Sequence, residues 1–574
     1  MILVSPEHIA SYTQAGWWSE QTIGELFLQT AARQPEAAAV IDAPNRPQIS
    51  GDAPLSWRWQ DVLTQTGRLV ALFAAQGLRK DDVVVMQLPN CAEMHAIYLA
   101  CALTGVIVSP VPVQYRAHEL DHILQITGAQ VAIVGVRVGS HAMAQDWVAQ
   151  RARWPQLRHI WALGADVPAG TLDLRAAWAA SAALSPNELR AQAQAAGVCA
   201  HDVLTICWTS GTEAQPKGVP RNHNEWLIIG QSVQDAGQLE PGAHMVIPFP
   251  FVNMAGISTS LMAWLISGGC LHQHHPFDLG VFVQQLRDNP IEYSVAAPAV
   301  LNMMLKQPGM MAGVDTQRFA RVGSGGGPLS PWLVEQMAER FGIEVVNYFG
   351  SNEGASLAAS PQDVPDRAQR AMYFPRVGVP GYSWKHTNAR KVETRLVDVD
   401  TGEVITESGR VGELRFRGPT IFSGYYKSPE LTARAFDEAG FYRTGDLFEI
   451  AGERQEFYRF CGRHKDIVIR GGMNISAEEL ENLLMAHPAV RECAVVGQPD
   501  ERLGEKVCAV VVLQPGQTLD LAGLSAFMAQ EQVARYKWPE ALWLLDTLPR
   551  NPVGKILKRD LRARLAQADT PPLS

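Results

Sequence analysis

The feature that most constrains the fold is an alternation of strand-like and helix-like segments between residues 82 and 136. Residues 82–89, 105–113 and 131–136 read as strands, and residues 93–103 and 121–127 between them read as helices. Segments that alternate in this way form parallel β-α-β units, whose sheet is covered on both faces. The sequence therefore predicts an α/β fold.

Two helix starts carry the signature of a capping box. Thr22 is followed three positions later by Glu25, and apolar residues then recur at helical spacing. Ser476 and Glu479 repeat the signature near the other end of the chain. We predict a helix after each of these residues.

Size and composition limit the class of protein. A chain of 574 residues is too long for a single hydrophobic core, so we expect two or more domains. The 47% hydrophobic and 19% charged residues are typical of a soluble globular protein. A net charge of -9 argues against nucleic acid or an anionic membrane as the main partner.

The cysteines and the apolar segments predict a cytoplasmic protein without a membrane span. The eight cysteines are scattered and include no C-x-x-C pair, which is typical of reduced structural thiols. The amino terminus lacks the basic start and the apolar stretch of a signal peptide. The most apolar segment, residues 96–113, is too short and too interrupted by polar residues and prolines to cross a bilayer.

Residues 209–218 form a loop of the kind that binds phosphate. An apolar strand, residues 203–208, leads into the sequence T-S-G-T-E-A-Q-P-K-G. Hydroxyls and glycine amides donate hydrogen bonds without bulk, and Lys217 supplies a mobile charge. The spacing differs from that of the Walker loop, and an ordinary solvated turn has a similar composition. The stretch alone leaves both interpretations open.

Five further stretches combine glycines with polar side chains. Residues 319–328 run from a strand into three consecutive glycines, against which a flat ring can lie. Residues 345–354 contain an aromatic pair, a glycine and a carboxylate, and residues 441–447 contain a Thr-Gly-Asp turn that follows a Gly-Tyr-Tyr stretch at 424–426. The remaining two, residues 460–481 and 548–558, are rich in basic residues and glycine. Each could be a plain turn or a solvated surface segment.

Taken in order from 209 to 558, these motifs resemble those of the acyl-adenylating superfamily, and in particular its AMP-forming acyl- and aryl-CoA synthetases. The resemblance covers nearly the whole chain. It implies a large amino-terminal domain (1–464) of layered β-α-β sheets plus a distorted barrel. It also implies a small mobile α+β domain (465–574) that carries the catalytic lysine.

The resemblance assigns roles to individual residues. Phe349 would stack on adenine, Asp446 would accept the ribose hydroxyls, and Glu353 would bind Mg²⁺. The nucleotide-binding set is Thr209, Ser210, Gly211, Lys217, Gly325, Gly326, Gly327, Pro328, Tyr348, Phe349, Gly350, Asn352, Asp446 and Arg463. The catalytic set is Lys555, Glu353 and Thr212, the acyl pocket is Asn253, Met254, Gly256 and Ser324, the hinge is Asp466, and the CoA tunnel passes Gly471 and Gly472.

The implied activity is that of a carboxylic acid:CoA ligase using ATP, Mg²⁺ and coenzyme A. An aromatic, alicyclic or medium-chain acid would first form an acyl-adenylate, with Lys555 stabilising the developing charge. After rotation about Asp466, CoA thiolate would displace AMP. The enzyme would act as a monomer or homodimer.

Three alternatives stay open at this point. The first is a stand-alone adenylating enzyme that loads a carrier protein, as in siderophore-type activation of aryl acids. The second is an oxidase of the luciferase type. The third is a non-catalytic nucleotide-binding relative, against which the presence of Lys555, Glu353 and Asp446 argues.

The chain departs from the family pattern at three places. Glu213-Ala214 stands where Thr/Ser-Gly is usual, and a carboxylate beside a triphosphate is repulsive unless it turns outward or meets the metal. Asn352 replaces a threonine, so a phosphate contact there would come from an amide. Asn253 replaces a frequent histidine, and it could bind a ring hydroxyl or satisfy the main chain.

Two structural expectations concern other segments. His272 and His274 share a strand face, but we find no nearby cysteine or carboxylate set to complete a metal site, so we favour a packing role. The alternation of Leu414 and Phe416 with polar residues predicts a half-exposed strand.

Overall fold

The computed structural model describes residues 1–209, 216–327, 329–463, 466–470, 473–500, 503–531, 533, 535–551 and 554–567. Four β-sheets and the helices that cover them make up this part of the chain. Among the residues that the structure describes, no helix combines the length and apolar composition that a membrane crossing needs.

The first sheet is the one that the alternating segments predicted. Two short strands, β1 (Ala38–Ile41) and β2 (Ser56–Arg58), precede it in the chain. Its own strands are β3 (Val83–Gln87), β4 (Ile107–Pro110), β5 (Val131–Gly135), β6 (His159–Leu163), β7 (Leu172–Asp173), β8 (Val203–Thr209) and β9 (Lys217–Asn222), in the order β7-β6-β5-β3-β4-β8-β9. Every residue of β3, β4 and β5 is buried, as expected of parallel strands covered on both faces.

The second sheet positions most of the candidate site. It adds β10 (His244–Ile247), β11 (Cys270–Gln273), β12 (Tyr293–Val295), β13 (Arg321–Gly325), β14 (Glu344–Gly350) and β15 (Ser356–Ala359), in the order β15-β14-β13-β12-β10-β11-β1-β2. All neighbours are parallel except at the two edge strands, β2 and β15. The loops that follow β10, β13 and β14 therefore all emerge at the carboxyl ends of parallel strands, where such sheets commonly bind ligands.

The third sheet is antiparallel. Its strands are β16 (Tyr373–Pro375), β17 (Glu393–Val397), β18 (Val404–Ile405), β19 (Val411–Arg417), β20 (Tyr442–Ala451) and β21 (Phe457–Arg463), in the order β16-β21-β20-β19-β17-β18. The prediction of a half-exposed strand at Leu414 and Phe416 was wrong. Both are fully buried, and the polar residues beside them, Glu413 and Arg415, are buried as well, because Arg415 pairs with both Glu413 and Asp437.

The fourth sheet contains the last strands of the chain. They are β22 (Ile467–Arg470), β23 (Met473–Ser476), β24 (Val490–Asp500), β25 (Gly504–Leu513) and β26 (Ala541–Leu544), in the order β23-β22-β25-β24, with β26 parallel to β25. This small α+β unit follows the large unit of layered sheets, as predicted. The predicted domain boundary at 464/465 falls outside the described residues and stays a prediction.

Helices cover the sheets and join their strands. They are α1 (Pro6–Gln14), α2 (Ile23–Arg33), α3 (Arg46–Ile49), α4 (Trp59–Ala75), α5 (Ala92–Thr104), α6 (Ala117–Thr127), α7 (Met143–Gln150), α8 (Leu174–Ala180), α9 (Pro186–Ala195), α10 (His223–Gly237), α11 (Met254–Gly256), α12 (Ala263–Ser267), α13 (Leu279–Asp288), α14 (Pro298–Lys306), α15 (Pro331–Phe341), α16 (Arg367–Met372), α17 (Pro429–Ala435), α18 (Ala477–Ala486), α19 (Leu521–Gln530) and α20 (Lys558–Gln567). Short 3₁₀ turns lie at Arg151–Arg153, Pro308–Met311, Thr387–Arg390 and Arg535–Lys537, and a π-helical turn, Ile257–Met262, joins α11 to α12.

The largest core lies between the first two sheets. Helix α5 is apolar on all sides and buried along its length, which suits a helix enclosed by other elements. The same core includes Met86 of β3, Met245 of β10 and Leu271 of β11. The two predicted helix starts are confirmed, because Thr22 caps α2 and Ser476 caps α18, each accepting a hydrogen bond from the amide three residues on.

Candidate nucleotide and acyl site

The predicted phosphate loop connects two antiparallel strands. Strand β8 is buried up to Trp208, and Thr209 pairs with Lys217 at the start of β9. Ser210, Gly211 and Thr212, together with Glu213 and Ala214, lie outside the described residues. The structure thus describes the two ends of this loop.

Lys217 and Glu353 are connected through a tyrosine. The Lys217 ammonium lies 5.2 Å from the centroid of the Tyr425 ring, within the range of a cation–π contact. The Tyr425 hydroxyl donates a 2.9 Å hydrogen bond to Oε1 of Glu353. Glu353 is only 8% exposed, so this donor fixes the orientation of a nearly enclosed carboxylate. Sequence reasoning assigned no role to Tyr425, although the Gly-Tyr-Tyr stretch was a signal.

A buried arginine, Arg221, contacts the main chain next to Glu353. Arg221 of β9 is 1% exposed and lies 3.5 Å from the carboxylate of Glu225, and it also donates a 3.4 Å hydrogen bond to the Asn352 carbonyl oxygen. Burial raises the pKa of Glu225 to about 7. The guanidinium also acts electrostatically on Glu353. Arg221 is a second residue that sequence reasoning missed, because no glycine-rich or catalytic motif contains it.

The predicted adenine side is formed by β13 and β14. Gly325 pairs with Tyr348, and Gly326 has φ +79°, a left-handed conformation that favours glycine. Phe349 is half-buried, and its ring lies edge-on to Phe448 with centroids 5.2 Å apart. The hydroxyls of Tyr348 and Tyr293 share a 2.9 Å hydrogen bond. Gly327 and Gly350 are described beside them, whereas Pro328 lies outside the described residues.

Three of the predicted acyl-pocket residues lie at α11, which follows β10, and the fourth, Ser324, lies near the end of β13. Asn253 accepts a 3.0 Å hydrogen bond from the Gly256 amide and so caps α11. Of the two roles that the sequence left open for Asn253, its side-chain oxygen thus has the one of satisfying the main chain. Ser324 is fully buried and donates to the Ala296 carbonyl oxygen at 2.8 Å. A Cβ atom on Gly256 would overlap the Pro250 carbonyl oxygen, so this close approach requires glycine.

Asn352 links the nucleotide motif to the acyl loop. Its Oδ1 accepts a 2.6 Å hydrogen bond from the main-chain amide of Met254. The threonine usual in the family has a hydroxyl at this position, whereas the longer asparagine side chain presents an amide oxygen.

The predicted ribose contact and the predicted catalytic lysine lie in one charged cluster. Asp446 is 2% exposed and accepts a 2.9 Å hydrogen bond from Arg463. Burial raises the pKa of Asp446, and the charges of Arg463 and Lys555 oppose that rise. The Lys555 side chain reaches solvent, yet desolvation and repulsion from Arg463 lower its pKa to about 8, against the attraction of Asp446, Asp466 and Glu478.

The predicted hinge residue is held by the last helix. Asp466 forms an ion pair of 2.9 Å with Arg562 of α20. Lys306 of α14 donates a 3.1 Å hydrogen bond to the Val490 carbonyl oxygen, which joins the large unit to the fourth sheet. Gly471 and Gly472, predicted to line the CoA tunnel, lie outside the described residues.

Of the two histidines considered in the sequence analysis, His272 lies in β11 and His274 follows that strand. His274 has a packing role, because it hydrogen-bonds Gln285 at 2.7 Å and accepts from the Asp278 amide at 3.1 Å. The statement that no cysteine lies near His272 was wrong. Cys270 precedes it on the same strand face, and the fold brings His244 to the same point.

Comparison with known proteins identifies relatives of this arrangement. Residues 27–426 match the family described as "AMP-binding enzyme", and residues 479–555 match "AMP-binding enzyme C-terminal domain". A medium-chain fatty-acid–CoA ligase from Escherichia coli K12 is 30% identical, with 97% of this chain and 94% of the relative covered. A salicyl-AMP ligase / salicyl-S-ArCP synthetase from Mycobacterium tuberculosis H37Rv is 29% identical, with 98% and 94% covered.

A solved structure shows the same fold. The anthranilate CoA ligase AuaEII, in complex with anthranoyl-AMP, superimposes with a TM-score of 0.79 at 20% identity, covering 96% of this chain and 98% of that one.

Proposed function

The chain belongs to the AMP-binding enzyme family, and from this premise we propose that it is an AMP-forming carboxylic acid:CoA ligase. The observation that carries the proposal is the charged cluster around Asp446. The charges of Arg463, Lys555 and Glu353, three residues from separate motifs, act on its carboxylate. Such a cluster suits a reaction in which negative charge is held and redistributed. Plain solvated turns would not bring these residues together.

The first half-reaction joins the acid to AMP. A carboxylate oxygen of the acid attacks the α-phosphorus of ATP, and pyrophosphate leaves. Asp446 accepts the ribose hydroxyls, Phe349 lies against the adenine, and Thr209, Lys217 and the loop between them hold the phosphates. Lys555 stabilises the charge that develops on the phosphoryl oxygens.

Mg²⁺ fits the carboxylate proposed to hold it. Glu353 offers a hard oxygen donor, and the Tyr425 hydroxyl orients one of its two oxygens. When bound there, the ion supplies charge neutralisation for the phosphates.

The second half-reaction requires a different arrangement. CoA thiolate attacks the acyl carbonyl carbon, and AMP leaves. Because Lys555 interacts electrostatically with Asp446, the described arrangement suits adenylation. We assign 1–464 and 465–574 as the two domains, and rotation about Asp466 removes Lys555 and opens a thiol path past Gly471 and Gly472.

The acid is an aromatic, alicyclic or medium-chain carboxylate. Asn253, Met254, Gly256 and Ser324 combine small and apolar groups, and the side-chain oxygens of Asn253 and Ser324 are already engaged with the main chain. Relatives named for a medium-chain fatty acid and for salicyl transfer support this range.

A carrier protein is the alternative acceptor. The relative named salicyl-AMP ligase / salicyl-S-ArCP synthetase supports this second function. The cytoplasm is the proposed location of either enzyme, since all eight cysteines are unpaired, as in a reducing compartment.

Pyrophosphate release tests the proposal. The full chain is assayed with MgATP and a panel of aromatic, alicyclic and medium-chain acids, with and without CoA. We expect one class of acid to give release that accelerates with CoA. Release that ignores CoA and leaves trapped acyl-adenylate would favour the carrier-protein acceptor, and no release with any acid would reject the ligase.

A further inference from the structure

A second cluster of reactive side chains lies at the amino ends of two inner strands of the second sheet. His244 begins β10 and Cys270 begins β11, and the two are direct partners in the parallel register. His272 lies two residues after Cys270, so its side chain is on the same face of the sheet. The nucleotide and acyl residues follow the carboxyl ends of the strands, whereas this cluster lies at the amino ends. It is therefore outside the site described above.

The three side chains present their ligand atoms to one point. Nδ1 of His244 is 3.1 Å from Nε2 of His272, and Sγ of Cys270 is 3.9 Å from the same Nε2. All three ligand atoms lie within 4.8 Å of one another. Around a tetrahedral Zn²⁺ with ordinary bond lengths, two nitrogens are about 3.3 Å apart and a nitrogen and a sulfur about 3.6 Å apart. The observed nitrogen–nitrogen separation is slightly shorter than this and the nitrogen–sulfur separation slightly longer. A small adjustment of the side chains therefore allows tetrahedral coordination.

The protonation of the imidazoles suits ligation. A ligating histidine binds the metal through the lone pair of one ring nitrogen while the other ring nitrogen carries the proton. Within the described part of the chain, Nδ1 of buried His272 has no hydrogen-bond partner, so it can carry the proton and leave the Nε2 lone pair for a metal.

Access and ligand type complete the case. His272 and Cys270 are each 1% exposed, while His244 is half-buried and opens the cluster to solvent. One thiolate with two imidazoles is a ligand set typical of zinc, and hard cations such as Mg²⁺ prefer oxygen.

We propose that His244, Cys270 and His272 bind one Zn²⁺ ion, with water in the fourth position. Coordination replaces the Cys270 S–H bond by a sulfur–zinc bond and releases that proton to solvent. The ion joins the starts of β10 and β11, two neighbouring strands of the sheet whose opposite ends carry the acyl loop. Its role is to stabilise this sheet.

Metal titration of the full chain tests the site. Chelator-treated protein is titrated with Zn²⁺ for stoichiometry and with Co²⁺ as a spectroscopic probe, since cobalt bound to a thiolate shows sulfur-to-cobalt charge-transfer absorption. We expect one equivalent of either metal, a charge-transfer band with Co²⁺, and a rise in Tm of roughly 2–5 °C on saturation with Zn²⁺.

Matched variants separate this site from surface histidines. Cys270→Ala should abolish the charge-transfer band and weaken Zn²⁺ binding more than about 100-fold, a larger loss than that from outer-shell changes. Cys508→Ala removes another fully buried strand cysteine, on β25, and should leave both readouts unchanged. His244→Gln should weaken binding without removing sulfur ligation.

Two results would overturn the proposal. The first is the absence of a charge-transfer band in the unmodified protein, which decides the matter even if the variants fold poorly. The second is equal Zn²⁺ affinity in Cys270→Ala and Cys508→Ala, which would assign the bound metal to other side chains.

Discussion

At the scale of single residues, Tyr425 shows how the site depends on a group that contacts no proposed substrate. Its ring lies under the Lys217 ammonium and its hydroxyl orients Glu353, so one side chain positions both the proposed phosphate contact and the proposed metal carboxylate. It is a positioning residue, whose contribution is to hold charged groups at fixed places before ATP arrives.

Tyr425→Phe keeps the ring and removes the hydroxyl. A hydrogen bond to a charged group contributes about 1.5–3 kcal/mol, so we expect kcat/KM for ATP in pyrophosphate release to fall about 10-fold or more. The Mg²⁺ concentration needed for half-maximal rate should rise with it, which a purely structural role would not cause. Tyr426→Phe, at a buried tyrosine next in the chain, is the control. An unchanged Mg²⁺ dependence in Tyr425→Phe would refute the positioning role.

Lys555 carries a prediction about pH. Its pKa is lowered to about 8, and the charged ammonium is the form that stabilises negative charge. The adenylation kcat/KM should therefore be level below this pKa and fall roughly tenfold per pH unit above it, since the charged form is lost as pH rises. Lys555→Arg stays charged throughout, so its lower activity should lack the alkaline fall. The same fall in that variant would assign the titration to another group.

At the scale of elements, the turn into α11 has little freedom. Gly256 lies against the Pro250 carbonyl oxygen, and Asn253 caps the same turn. Gly256→Ala should push this segment apart, destabilise the protein by about 1–3 kcal/mol and raise the KM for the acid. Thermal unfolding and acid titration measure the two effects. Gly309→Ala, where a Cβ meets no atom within 4 Å, should change neither. Equal behaviour of the two variants would show that the turn adapts.

Local sequence predicted many elements because their signals lie within a few residues. Residues 203–208 were predicted as a strand and β8 is Val203–Thr209, and the Thr22 cap was read from its own helix. Burial of β19 was mispredicted because Glu413 and Arg415 are paired by contacts that the alternation does not reveal. Tyr425 and Glu353 are 72 positions apart, and only the order of the sheets brings them together.

At the scale of the whole molecule, the hydrogen bond from Lys306 to Val490 joins the large unit to the fourth sheet, and we expect it to favour the arrangement proposed for adenylation. Lys306→Ala removes one part-buried hydrogen bond to Val490, so we expect a modest fall of about 2- to 5-fold in pyrophosphate release. The rate of thioester formation from supplied acyl-adenylate should stay the same or rise. Arg287→Ala, which breaks a bond to Met310 within the large unit, is the control. Equal falls in both half-reactions would argue against a role in domain arrangement.

The hydrogen bond from the Met254 amide to Asn352 connects the proposed acyl pocket to the proposed nucleotide site, so we expect the binding of the two substrates to be coupled. If acid in the pocket shifts the loop of Met254, it alters the segment that leads to Glu353, and by reciprocity bound nucleotide alters the affinity for acid by the same factor. The site is then fully ordered only when ATP and the acid are both bound, and ATP alone binds to an incompletely ordered site. In the unmodified protein, ATP hydrolysis in the absence of the acid should therefore be suppressed. Calorimetry with a non-hydrolysable ATP analogue measures how each substrate changes the dissociation constant of the other, and Asn352→Ala should abolish this mutual change.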